Sequence, residues 1–134
     1  MMAAPSQPIG LDGRWSGTGI DSQGATIVTW SLTQTGTSAS GTVKTEAVNP
    51  TDGSCNSCHR NKTGTFMGTL SGTTLTMTMF FAAGGDGDPT PACNAMVTAT
   101  SSHAGADTVS AAYSGADSCE GPFTNGTLMM KRDP

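Results

Sequence analysis

Thr73-Thr74-Leu75-Thr76-Met77-Thr78-Met79-Phe80-Phe81 decides the fold. In an extended chain Leu75, Met77, Met79 and Phe81 fall on one face and Thr74, Thr76 and Thr78 on the other, because successive side chains of a β-strand leave opposite faces. A helix would spread both sets around its circumference. One face is therefore suited to burial and the other to water. Ala25-Thr26-Ile27-Val28-Thr29-Trp30-Ser31-Leu32-Thr33 repeats the device, with Val28, Trp30 and Leu32 on the apolar face. Further alternating runs complete a set of strands near 13–20, 25–34, 38–48, 63–70, 73–81, 93–103, 106–114 and 123–132.

Eight consecutive strands joined by turns predict an all-β domain, a single eight-stranded antiparallel up-and-down β-barrel. Closure removes the exposed strand edges. The barrel is expected over residues 11–134, after a flexible N-terminal segment, 1–10. Tight Gly-containing turns are predicted at Gln34-Thr35-Gly36-Thr37, Ser71-Gly72 and Ala104-Gly105. In a meander these second, fourth and sixth connections share one end. The two longest loops, about 49–62 and 82–92, lie at the other, together with all four cysteines. The inward set read from the alternation is Val28, Trp30, Leu32, Leu75, Met77, Met79, Phe81, Val97, Val109, Tyr113, Phe123 and Leu128. Such a set either fills a small barrel or lines a pocket in it.

Composition narrows the function. A net charge of −4 with six scattered Lys and Arg disfavours nucleic acid as a partner, since phosphate binding needs clustered cations. No apolar run reaches the length of a membrane-spanning helix. Met1-Met2-Ala3-Ala4-Pro5 has no basic region followed by an apolar stretch, so any export signal is expected to be already removed. Four cysteines in a chain that is only 35% hydrophobic favour an oxidising compartment: secreted, periplasmic or cell-surface.

Gly13-Arg14-Trp15 at the first strand and Lys131-Arg132 at the last resemble the lipocalin and avidin pattern. That resemblance implies a tryptophan packed against a late basic side chain at the closed end of the barrel. Trp30-Ser31-Leu32-Thr33-Gln34-Thr35-Gly36, Gly68-Thr69-Leu70-Ser71-Gly72 and Tyr113-Ser114-Gly115 resemble exported bacterial β-barrel domains, often lipoproteins. In those domains a cysteine at the start of the sixth strand is followed by another just before the last, and Cys93 and Cys119 match that pair. The resemblance implies a fold and an address, without an activity. The antiparallel meander independently brings Cys93 near the loop holding Cys119, so a disulfide between them is expected.

Cys55-Asn56-Ser57-Cys58-His59 spells the attachment motif of a c-type haem, in which two thiols take the vinyl groups and the histidine ligates iron. Met67 or Met96 would be a candidate sixth ligand, whereas His103 is expected at the opposite end. Against haem, no helix is predicted to wrap the cofactor, and 49–62 is almost wholly polar. Disulfides involving Cys55 and Cys58 are the plainer reading, and zinc lacks a second pair of ligands. No cofactor is therefore assigned. Asp86 and Asp88, with Asp52, Asp117 and Glu120 in neighbouring loops, are the oxygen ligands a calcium site would use, though solvated turn residues look the same. No nucleophile, base and orienting acid come together in the topology.

These readings converge on a non-enzymatic exported barrel that binds a small apolar ligand or a protein partner at its loop-rich end. A c-type haem protein, redox or gas-binding, is the alternative. Peptide mapping of the natively exported protein without reductant is expected to join Cys93 to Cys119. Cys93→Ser should then cost about 3–4 kcal/mol, clearly more than Cys55→Ser, because a C-x-x-C ring restricts little of the unfolded chain. A link from Cys93 or Cys119 to Cys55 or Cys58 would overturn both this pairing and the haem reading.

Overall fold

The alternating runs become eight strands: β1 (Gly13–Asp21), β2 (Gly24–Thr35), β3 (Ser38–Ala47), β4 (Lys62–Ser71), β5 (Thr74–Phe81), β6 (Ala95–Ala104), β7 (Thr108–Asp117) and β8 (Gly121–Arg132). A computed structural model describes residues 10–22, 24–47, 62–82, 94–104, 107–118 and 121–133. Each strand pairs antiparallel with the next, and β1 pairs with β8, so the sheet is a closed up-and-down barrel. Every residue of the predicted inward set is buried, or half-buried in the case of Val97 and Tyr113.

Two connections show how the local chemistry sets the register. Thr35 pairs with Ser38 and Ser71 with Thr74, leaving two-residue loops that open on Gly36 (φ 60°) and Gly72 (φ 61°). A type II′ hairpin needs positive φ at that first loop position, which only glycine adopts freely. Inside the strands, glycine serves a different purpose. A Cβ on Gly17, Gly41, Gly64 or Gly115 would lie 1.9, 1.8, 2.2 or 2.3 Å from a carbonyl oxygen of the neighbouring strand. These bare positions let the strands bend enough to close the barrel.

One feature of β8 departs from simple alternation. Phe123 and Leu128 both face inward although they stand an odd number of positions apart. Between Tyr113/Gly126 and Gly115/Phe123 the pairing slips, so Thr124 and Asn125 together oppose Ser114. Asn125 takes the left-handed conformation (φ 56°) that this β-bulge demands. Sequence alternation also placed Lys62 in the polar loop 49–62; it is instead the first residue of β4, facing inward and 4% exposed. Its inward parity follows from the row Lys62, Gly64, Phe66, Gly68 and Leu70.

At the short-turn end, Leu11 is fully buried as a plug, its N–H donating to Gln34 Oε1 at 2.6 Å. Trp15 Nε1 donates to the Leu11 carbonyl at 3.0 Å. The Arg132 guanidinium lies 4.4 Å from the centre of the Trp15 ring and donates to the carbonyls of Asp12 and Gly10. The expected tryptophan–arginine packing at the closed end is thus present. Trp15, Trp30 and Phe66 form a tilted aromatic column behind it, with ring centres 6.3 and 4.9 Å apart.

Cys55, Cys58, His59, Cys93 and Cys119 lie outside the described residues. The chain neighbours of the last two are joined: Ser118 N–H donates to the Asn94 carbonyl at 2.8 Å and Asn94 N–H to Ser118 Oγ at 3.0 Å. His103 pairs with Ser110 near the short-turn end, as expected. Met67 and Met96 stand on the outer wall, 68% and 52% exposed, not in the barrel mouth.

Arg132→Ala is expected to lower stability by about 1–2 kcal/mol, from loss of the ring contact and two carbonyl bonds. Arg132→Lys should restore only part of it, because one ammonium cannot serve both carbonyls and the ring in the same geometry. Denaturant unfolding of the three proteins is the check.

Candidate functional site

Beyond the aromatic column the inward side chains of β1 and β2 shrink, on β2 from Trp30 through Val28 to Thr26. On β1 the row that starts with Trp15 continues through Gly17 and Gly19 to Asp21. On β8 Gly126 follows Leu128 along the inward row, and β6 contributes Ala95 and Ala99. A cavity of about 50 Å³ lies at the loop-rich end of the interior, with Gly19 and Ala95 among its lining. On the same measure a single water needs roughly 10–15 Å³, so the cavity admits a small molecular group. With the open mouth above it included, the empty space is about 570 Å³.

Tyr113 shapes this cavity. Its ring lies across Gly126, where a Cβ would meet three ring carbons at 2.6 Å, and its hydroxyl passes over Gly19. Glycine at both positions makes the room for the ring. Phe123 packs against the Tyr113 ring edge-on, centres 6.3 Å apart. The hydroxyl donates to Asp21 Oδ2 at 2.6 Å, which fixes the ring across the interior. Burial, and then the hydrogen bond and negative charge of Asp21, push the Tyr113 ionisation far above its ordinary range.

The polar residues of the lining gather on one side, where Val28 and Val43 also lie, and Tyr113 on β7 adds its hydroxyl. Asp21 on β1, Thr26 on β2, Thr45 on β3 and Lys62 on β4 are polar and occupy four consecutive strands. Met79 and Phe81 on β5, Ala95 and Val97 on β6, and Phe123 and Leu128 on β8 are apolar. Thr45 Oγ1 is engaged by the β4 backbone: it accepts from Lys62 N–H at 3.3 Å and donates to the Lys62 carbonyl at 3.4 Å. Thr26 is 3% exposed, and its Oγ1 has no hydrogen-bond partner among the described residues.

Of the inward set expected from alternation, Val28, Met79, Phe81, Val97, Tyr113, Phe123 and Leu128 line the cavity. Asp21, Thr26 and Lys62 face inward too and stand outside that set. The signal was parity: Asp21 is in step with Trp15, and Thr26 with Val28, Trp30 and Leu32. The calcium candidates Asp52, Asp86, Asp88 and Glu120 lie outside the described residues. Among the described residues no three His, Cys, Asp or Glu side chains gather as metal ligands, and no helix is long and apolar enough to cross a membrane.

No protein-family model and no curated protein matches this chain. Two solved structures share its architecture. A redesigned β-barrel, mFAP1, bound to DFHBI, aligns with a TM-score of 0.61 and 14% identity over 91% of this chain and 94% of that one. A second, a de novo designed fluorescence-activating β-barrel, aligns with a TM-score of 0.60 and 16% identity, covering 92% of this chain and 94% of that one. At these identities the likeness is one of fold.

Because Tyr113 is the sole tyrosine, phenolate absorbance reports on it alone. The unfolded chain should titrate near pH 10, and the folded protein should stay protonated well beyond that. Above pH about 10 the unfolded state therefore binds fewer protons than the folded one, and stability falls as pH rises, by at most about 1.4 kcal/mol per pH unit. That contribution is fully present below pH 10 and should be missing from Tyr113→Phe. At neutral pH the same substitution should cost about 1–3 kcal/mol, since Asp21 loses a donor.

Proposed function

We propose that this protein is a non-enzymatic binding module that holds a small, mainly apolar ligand in the cavity at the loop-rich end, and that it works outside the cytoplasm. The observation that carries the first part is the asymmetric interior. One end is packed with two indoles, a phenyl ring and a leucine plug, whereas the other keeps a mainly apolar cavity where Gly19 and Ala95 leave room among larger side chains. An eight-stranded barrel has an interior just wide enough to be filled or to hold one small ligand, and here it does each at one end. Met79 adds an adaptable wall. Designed barrels of the same architecture, one bound to DFHBI and one fluorescence-activating, support the idea that such an interior can host a small molecule. The four cysteines and the sparse charge support the extracytoplasmic address.

Fluorine NMR of fluorobenzene titrated with the full chain is expected to show saturable broadening and a shift. Val97→Phe, which fills the cavity from β6, should abolish the signal. Met129→Ala, on the exposed outer wall, should leave it unchanged. Retained binding in Val97→Phe, or loss in Met129→Ala, would place the contact on the outer surface and end this reading.

A further inference from the structure

The five polar residues of the cavity, Tyr113 and the four on β1 to β4, differ in what they have left to offer; the Tyr113 hydroxyl is given to Asp21. Asp21 accepts from Tyr113, and both Asp21 and Lys62 hold further contacts. Thr45 Oγ1 is committed to the backbone of Lys62. Thr26 alone of the four has a buried polar atom with no partner among the described residues. The cavity thus presents a lysine and an aspartate that already hold contacts, a tyrosine hydroxyl given to that aspartate, and the Thr26 hydroxyl, which has no partner among the described residues.

Resting on the cavity reading above, we infer that the ligand is an uncharged amphiphile, an apolar body with one neutral oxygen group, alcohol or carbonyl, that pairs with Thr26 Oγ1. A carboxylate near Lys62 would also face Asp21, and an ammonium near Asp21 would also face Lys62. Either would give up its hydration in a cavity that holds a like charge and whose opposite charge already has contacts. A neutral oxygen is far cheaper to desolvate and fills the open position. A threonine hydroxyl both donates and accepts, so alcohols and carbonyls fit equally. The apolar body then lies toward Met79, Phe81, Val97 and Phe123 on the opposite side of the lining.

The test is a calorimetric titration of the full chain at neutral pH with 1-hexanol, hexanoate and hexylamine, which share one apolar body. Hexanol is expected to bind about tenfold tighter than either charged analogue. Thr26→Val should weaken hexanol by about five- to tenfold while leaving fluorobenzene unchanged, and an undiminished Tm shows that the variant is folded. Equal affinities for all three would overturn the inference, as would hexanoate or hexylamine binding tightest. So would a Thr26→Val protein that binds hexanol as well as the parent, because the hydroxyl is then paired with water alone. Those outcomes leave the cavity reading standing. Failure of all three compounds and of fluorobenzene removes both.

Discussion

Trp15 on the first strand pairs with Arg132 on the last, and that long-range pairing turns a ribbon of hairpins into a barrel. Seven of the eight strand pairs join neighbours in sequence, so they close short loops and form cheaply. The eighth joins the two ends of the chain, and until it forms β1 and β8 both remain open edges. Three features support that seam. Gly17 has no side chain where a Cβ would strike the Met129 carbonyl. Asp133 binds back to β1 through the Arg14 guanidinium at 3.3 Å and Ser16 Oγ at 2.8 Å. Arg132 ties the strap of Gly10 to Asp12 over the Trp15 ring.

Closure fixes the interior width, and the sequence then divides that interior unequally. The inward rows of β1 and β2 taper toward the mouth, from Trp15 through two glycines to Asp21 and from Trp30 through Val28 to Thr26, while β5 keeps its bulk up to Phe81. Tyr113 is the one large polar aromatic in the upper half, and its hydroxyl bond to Asp21 lays it across the barrel over glycines of β1 and β8. A single hydrogen bond thus connects the seam to the shape of the cavity. The bulge at Thr124 and Asn125 contributes too, because without it Phe123 would face outward and the Tyr113 ring would lose its edge-on neighbour.

The strands and the closed end were legible because they rest on period-two alternation and on short Gly-containing turns, both purely local. Leu75, Met77, Met79 and Phe81 read as one buried face and are one. The cavity was legible in its location and its apolar wall, and not in its polar residues on β1 to β4. Parity would have pointed Asp21, Thr26 and Lys62 inward, but a polar residue at the end of a run reads as the start of a loop, which is where Lys62 had been assigned. The bulge was hidden for another reason: alternation counted from either end of β8 is self-consistent, and the slip is visible only against β7. The cysteine chemistry depends on residues beyond the described strands. Asn94 and Ser118, next to Cys93 and Cys119, are nevertheless hydrogen-bonded across the ends of β6 and β7.

The choice of polar side chains for inward positions bears most directly on function. In a barrel selected for stability alone, Thr26 would be better as valine, since a buried hydroxyl without a partner carries a desolvation cost that a methyl does not. The interior elsewhere follows that logic: the inward row of β5, and that of β8 from Gly126 to Met130, are apolar or glycine. Ser101, on the inward row of β6, repeats the unpaired hydroxyl at the packed end, but it does not line the cavity. At Thr26 the open hydroxyl, the cavity and the two engaged charges coincide on adjoining strands. Poor packing, unfilled polar valence and preset electrostatics are each costly, and all three favour a bound guest over an empty interior.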